Sequence, residues 1–239
     1  MSNILKPDRT RTIRIGGETL TINEKIIPDG VVATKRIASH VPIGGLIKPN
    51  RKLGRNNTGT PEGITVHNTN VITTPATTNP AEQYTRATHP NGNMSGVVVH
   101  FYVFKREIWQ NLKLDEQGWH AADGTSRKSS QRSGRTIGGN LDTIAIEVIG
   151  NDPETVRTTE ALVAWLCNEY NLDPKLDVYT HKYFFSSKNC PVWLIPVWGA
   201  FISRISNILT GATQQTPQPT QPTTPTPTPQ PTQPTTPAT

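Results

Sequence analysis

Residues 141–149 read Leu141-Asp142-Thr143-Ile144-Ala145-Ile146-Glu147-Val148-Ile149. β-branched residues recur at alternate positions, which predicts a strand. Successive side chains of a strand point to opposite faces. Ile144, Ile146 and Val148 therefore share one face, and Thr143, Ala145 and Glu147 share the other. A strand interior seldom carries a carboxylate without a reason, so Glu147 is singled out at once.

The flanking sequence builds an α/β pattern around this strand. Asp152-Pro153 supplies an N-cap and a first-turn proline for a long helix running to about Asn171. Upstream, Val97–Phe104 is a β-branched and aromatic run that predicts a central strand, with Glu107–Leu112 as the next one. Ile64–His67 reads as a short strand ending at a histidine. Asn79-Pro80-Ala81-Glu82 combines a cap, Pro at N1 and Glu at N3, so a helix starts there. Asn91-Gly92 is a turn signal, and Val178–His181 is a short extended piece or a turn. Trp198, Phe201, Ile202, Ile205, Ile208 and Leu209 recur at helical spacing and mark a last helix. Strands alternating with helices after residue 60 predict one α/β domain with a mixed central sheet flanked by helices.

Both ends of the 239-residue chain read differently. Thr12–Ile15 and Glu18–Ile22 alternate around Gly16-Gly17, a β-hairpin signal, and Pro28–Asn57 reads as an irregular extension. From Thr213 onward only Thr, Pro, Gln and one Ala occur. Such a segment has no apolar groups to offset its ordering entropy and is expected to be a disordered, semi-rigid spacer. The expected division is residues 1–59 as an N-terminal extension, 60–210 as the main domain and 211–239 as the tail.

Lys and Arg exceed Asp and Glu by 24 to 18, a net charge of +6. Arg127, Lys128, Arg132 and Arg135 gather in a Ser/Gly-rich stretch that reads equally as a solvated mobile loop and as one that could meet an anionic surface or polymer. No nucleic-acid-binding pattern accompanies it, so nucleic acid is not expected as a partner. No apolar run reaches transmembrane length, and Met1–Thr10 lacks the apolar core of a secretory signal. The two cysteines form no disulfide framework. Cys167 lies in the long helix pattern as a core residue. A bond between Cys167 and Cys190 is open from sequence, but it would consume a candidate metal ligand.

That ligand belongs to the cluster His181, Lys188, Cys190 and Pro191, read with His67. Two imidazoles and one thiolate form the ligand set of a catalytic zinc, which keeps one position open. Lys188 places a fixed positive charge where a developing oxyanion would need stabilising. His67 alone could be an ordinary hydrogen-bonded strand-end histidine. His40 and His89 carry no motif.

Four segments together carry a family resemblance. Val66-His67-Asn68-Thr69, Trp119-His120-Ala121, Asn140 through Thr143-Ile144-Ala145-Ile146-Glu147, and His181-Lys182 with Lys188-Asn189-Cys190-Pro191 resemble the type-2 N-acetylmuramoyl-L-alanine amidases. These include phage endolysins, and peptidoglycan recognition proteins share their fold. The resemblance covers about residues 60–209. It implies Zn2+ held by His67, His181 and Cys190. It implies hydrolysis of the amide joining N-acetylmuramic acid to L-alanine in peptidoglycan. Glu147 would move the proton and Lys188 would stabilise the oxyanion. His100, His120, Asn68 and Trp119 would line or position the substrate groove.

There is one departure from the pattern. Some phage members place a catalytic Tyr just before the His of the central strand, where this chain has Val99 ahead of His100. Tyr102 is expected on the opposite strand face from Val99 and so is a poor substitute. The implied biology is a monomeric phage or prophage endolysin. It would be held in the cytoplasm without membrane insertion and released to the cell wall at lysis. A non-catalytic peptidoglycan-binding module, and a zinc peptidase cutting the stem peptide, remain alternatives at this stage.

Overall fold

The computed structural model describes residues 5–28, 52–69, 79–89 and 97–214, with side chains to residue 211. Most of the 28–57 extension, the Asn91-Gly92 turn and the Pro/Thr tail lie outside the described residues. The strands are β1 (Arg9–Ile15), β2 (Glu18–Glu24), β3 (Gly63–Thr69), β4 (Phe101–Phe104), β5 (Glu107–Gln110), β6 (Lys128–Ser129), β7 (Thr136–Ile137), β8 (Thr143–Ile149) and β9 (Val178–Thr180). The helices are α1 (Pro80–Thr88), α2 (Gly139–Asp142), α3 (Pro153–Tyr170), α4 (Pro174–Asp177), α5 (His181–Phe184) and α6 (Trp198–Gln214). Seven strands form one mixed sheet in the order β1-β2-β5-β4-β8-β3-β9, and β6-β7 make a separate ribbon. β4, β8, β3 and β9 run parallel to their neighbours in that series.

The two faces of the sheet differ in chemistry. One carries Ile64, Val66, Ile144, Ile146 and Val148 together with Phe101 and Val103. α3 and α6 cover it with Leu162, Leu166, Phe201, Ile202 and Ile205. The other carries Tyr102, Trp109, Ala145 and Ile149, on which Ala81 and Tyr84 of α1 pack. The helix starts follow their caps. Asn79 Oδ1 accepts from the Ala81 and Glu82 amides, and Asp152 Oδ1 accepts from Glu154 and Thr155. α3 ends at Asn171 in the left-handed conformation, a common helix stop.

Several elements differ from the sequence expectation. The hairpin β1–β2 joins the main sheet, because β2 pairs parallel with β5. Its Ile13, Ile15, Leu20 and Ile22 belong to the core under α3 and α6. The strand expected from Val97 begins only at Phe101. Val98 bridges Trp119 instead. Leu141 and Asp142 lie in the short turn of α2, and the strand starts at Thr143. α6 continues past residue 210 to Gln214. Val99 precedes β4, so strict alternation does not relate it to Tyr102, and the two residues pack in the same cluster. Tyr102 is still no substitute for a catalytic Tyr. It is fully buried, with its hydroxyl bonded to Thr88 Oγ1 at 2.7 Å.

The basic loop also reads differently in three dimensions. Arg127 grips the fully buried Asp142 carboxylate through Nε at 2.7 Å and Nη2 at 2.8 Å. Arg132 grips the buried Asp177 in the same way. Lys128 stacks over the Tyr183 ring at 5.0 Å. Most of the loop's charge is therefore spent on pinning β6–β7 to the domain rather than offered to an anionic partner. Arg127→Ala is expected to destabilise the fold by about 2–3 kcal/mol, below the ~3–5 kcal/mol of a fully buried pair because the guanidinium is partly exposed. The exposed Arg135, whose side chain holds no buried carboxylate, should change stability by less than ~0.5 kcal/mol when replaced by Ala. Urea melts of the two variants check this contrast.

Candidate metal centre and active site

The site sits at the carboxyl ends of the parallel strands, where open α/β sheets place their ligand sites. Strand register creates it. In the β3–β8 ladder His67 lies opposite Glu147, and in the β4–β8 ladder Tyr102 lies opposite Glu147. Register partners on adjacent strands share a face, so His67 and Glu147 stand side by side on the α1 side of the sheet. β9 runs parallel to β3 and ends at Thr180, which delivers His181 at the first position of α5. The Thr180 hydroxyl accepts from the Tyr183 amide and fixes that helix start. A turn bonded from Lys188 N to Phe185 O and from Lys182 N to Cys190 O brings Cys190 back beneath His181.

Three donors converge. His67 Nδ1 lies 3.1 Å from His181 Nδ1 and 3.9 Å from Cys190 Sγ. One ligand atom from each residue falls within 4.8 Å of the others, and all three residues are buried. Ligands of a tetrahedral zinc stand about 3.4 Å apart for two nitrogens and about 3.6 Å apart for nitrogen and sulfur. The donor spacing fits such an ion. His181 Nε2 has no hydrogen-bond partner. Cys167 and Cys190 are both free thiols, so no disulfide takes the ligand away.

The electrostatics suit a metal too. Burial, then the neighbouring His120, His181 and Lys188, holds His67 well below its ordinary value. Burial and Lys188 bring His181 down to about 4. Both imidazoles are thus neutral and able to ligate at physiological pH. Burial, with Glu147 adding to it, pushes the Cys190 thiol up to about 12, while the Asn68 backbone N–H and Lys188 pull the other way. In the absence of a metal this sulfur keeps its proton. Glu147 is half-buried, and that burial raises it to about 8, with Lys188 the opposing influence. The exposed Lys188 is therefore close enough to act on Glu147 and on all three candidate ligands.

The remaining expected groove residues divide. His120 is buried beside His67, with His67 Nε2 and His120 Nδ1 3.0 Å apart. Trp119 is half-buried next to it. His100 is not a groove residue. It is fully buried, its Nδ1 accepts from the Ala145 amide at 3.0 Å, and its Nε2 donates to the Glu116 carbonyl at 2.8 Å. Because the His100 amide also donates to Ala145 O, the imidazole extends the β4–β8 ladder. Asn68 is likewise engaged within the protein. Its Nδ2 donates to the carbonyls of Thr69, Val148 and Gly150, and its Oδ1 accepts from the Trp193 amide at 3.5 Å. It ties the end of β3 to β8 and to the segment after Cys190.

Two neighbours escaped the sequence reading. Tyr84 of α1 stacks on Tyr102 with ring centroids 5.4 Å apart, and its phenol is raised by burial and then by Glu147. Trp193 is 40% exposed just past Cys190. No motif marks either residue, because their places depend on packing between distant segments.

Comparison with known proteins agrees with this geometry. The family model for N-acetylmuramoyl-L-alanine amidase matches residues 57–193. The N-acetylmuramoyl-L-alanine amidase XlyA of Bacillus subtilis (strain 168) is 31% identical over 169 residues, covering 69% of this chain and 49% of XlyA. The amidase CwlH of the same organism is 33% identical over 148 residues, covering 62% of this chain and 54% of CwlH. The chain thus spans about half the length of these curated relatives. The structure of the catalytic domain of XlyA superposes with a TM-score of 0.57 at 28% identity, covering 77% of this chain and 98% of that domain. A mutant endolysin from Bacillus subtilis superposes with a TM-score of 0.58 at 28% identity, covering 78% and 99%. With the family model matched across more than half of its length and the His67, His181 and Cys190 donors gathered at the strand ends, the chain belongs to the N-acetylmuramoyl-L-alanine amidase family.

Proposed function

We propose that this chain hydrolyses the amide between N-acetylmuramic acid and L-alanine in peptidoglycan, using one Zn2+ held by His67, His181 and Cys190. The observation that carries the reading is the pairing of His67 with Glu147 across β3 and β8, with His181 and Cys190 converging on the same imidazole. When bound, zinc supplies Lewis-acid polarisation of the amide carbonyl and lowers the pKa of water to about 7. Glu147 takes the water proton and later delivers one to the leaving L-alanine amine. Its partly dry setting favours this double duty, because its affinity for a proton sits near the working pH. Lys188 offers its ammonium to the oxygen on which charge builds. Trp119 forms part of the groove wall.

The same reading assigns a lytic role on bacterial cell walls, as in endolysins. The family membership and the likeness to an endolysin domain support it. No helix among the described residues is long and apolar enough to cross a membrane.

Digestion of purified peptidoglycan, read as new amino termini against new reducing sugars, tests the bond assignment. Free L-alanine amino termini without new reducing ends are expected. New termini on another residue would make the protein a stem-peptide peptidase. Tight binding to the wall with no new ends of either kind would make it a binding module.

A further inference from the structure

His120 is buried, lies outside the three-donor set and has one ring nitrogen on a candidate ligand. His67 Nε2 and His120 Nδ1 are 3.0 Å apart, and the rings meet edge to face with centroids 5.0 Å apart and an interplanar angle of 86°. His67 turns its Nδ1 toward His181 and Cys190, so its Nε2 is the nitrogen left to carry the proton. A buried N–H needs an acceptor. His120 Nδ1 is the acceptor in reach. The other nitrogen of His120, Nε2, has no hydrogen-bond partner, so no other contact competes with the tautomer in which Nδ1 accepts. The His67 contact therefore selects the His120 tautomer that is bare on Nδ1.

The backbone of His120 is clamped as firmly as its ring. Asn140 Oδ1 accepts from the amides of His120 and Ala121, both at 2.7 Å. Asn140 is held in turn by Asp123, whose carboxylate accepts from the Gly139 and Asn140 amides. Asn140 Nδ2 donates to the Gly124 carbonyl. Gly139 permits this close packing, since a Cβ there would lie 2.3 Å from the Ala121 Cβ.

We infer that His120 is a positioning residue for the metal centre. It accepts the His67 Nε2–H, so that the His67 Nδ1 lone pair is presented to the ion, and Asp123 and Asn140 hold it in place. The inference rests on the metal-centre reading above. It replaces the groove role that the sequence motif implied for His120, and it accounts for Asn140.

Groups behind metal ligands typically govern metal affinity by about 10- to 100-fold. Two substitutions separate this role from packing. Asn places Oδ1 on Cγ where His places Nδ1, so His120→Asn keeps an acceptor and should bind zinc within about threefold of wild type. His120→Leu fills similar space without an acceptor and should weaken zinc binding by about 10- to 100-fold in chelator competition. Equal affinities in wild type and His120→Leu would overturn the inference, as would equal losses in the two variants. The second result would mean a ligand or a packing role.

A tautomer measurement needs no variant and no metal. Long-range 1H–15N spectra of the wild-type imidazoles should show His67 protonated on Nε2 and His120 bare on Nδ1. A proton on His120 Nδ1 overturns the inference even if His120→Leu fails to fold. Wild-type protein that takes up no zinc would instead remove the metal-centre reading, and the tautomers would still decide the His67–His120 bond.

Discussion

Glu147→Gln is expected to lower amidase turnover by about 10²- to 10⁴-fold, the usual worth of a positioned acid–base group, while zinc content stays at one per chain. The amide keeps the shape of the side chain and cannot carry the proton. Loss of turnover with full zinc separates the carboxylate's role from that of the ligands. The same variant should change stability in a pH-dependent way. In the metal-free protein, burial raises Glu147 from 4.5 to about 8. The folded state then holds a proton that the unfolded chain releases between those values, so stability falls as pH rises through that window. Gln cannot ionise and escapes this loss. Metal-free wild type and Glu147→Gln should therefore melt alike near pH 4. Near pH 9 the variant should be more stable by about 2 kcal/mol, a figure reduced from the full shift because the carboxylate is only half-buried. Identical melting at both pH values would show that Glu147 is well solvated, and it would lose its place as the tuned proton carrier.

Cys190→Ala should weaken zinc binding by more than the ~10- to 100-fold that outer partners typically control, because it removes a ligand outright. Turnover on peptidoglycan should fall with it at limiting zinc. A second signature comes from the proton. The Cys190 thiol is pushed up to about 12 in the metal-free protein, and metal binding must displace that proton. Calorimetry in buffers of different ionisation enthalpy should find about one more proton released per zinc by wild type than by Cys190→Ala. Wild-type affinity should rise by about tenfold per pH unit between pH 6 and 8, provided His67 and His181 stay neutral as their depressed values imply. Zinc that binds both proteins equally would place the metal elsewhere.

What was legible in the sequence was local. The alternation of 143–149, the Gly16-Gly17 turn and the caps at Asn79 and Asp152 each specify an element through neighbouring residues, and each element is present. The errors arose where distant groups took over a local pattern. Val98 and Val99 look like strand, but the bridge from Val98 to Trp119 and the ladder contact made by the His100 ring delay β4 to Phe101. Leu141 and Asp142 continue an apolar-polar alternation, yet the Asp123 carboxylate caps a turn of helix there. The parallel pairing of β2 with β5 joins residues 86 apart in sequence, such as Ile22 and Ile108, and nothing local announces it.

The site divides along the same line. His67, His181 and Cys190 were readable as a ligand set because their chemistry is distinctive and their motifs fall in family order. Glu147 stood out as a carboxylate on a strand. Its position beside His67, however, exists only in the β3–β8 register. His100 and His120 looked alike as motif histidines, and only their surroundings separate them. One extends a backbone ladder, and the other faces a ligand. The four basic residues at 127–135 read as a solvated loop or an anion-binding one, while the Asp142 and Asp177 carboxylates that engage two of them lie 15 and 45 residues from their partners, outside the loop itself.

Zinc titration into metal-stripped protein, with L-alanine amino termini counted on purified peptidoglycan at each step, tests the central claim most directly. Release should be negligible without metal, rise in proportion to added zinc and level off at one equivalent, with no new reducing sugars at any point. Undiminished release from the stripped protein, or a plateau that Cys190→Ala reaches at the same single equivalent, would contradict hydrolysis at the His67–His181–Cys190 centre.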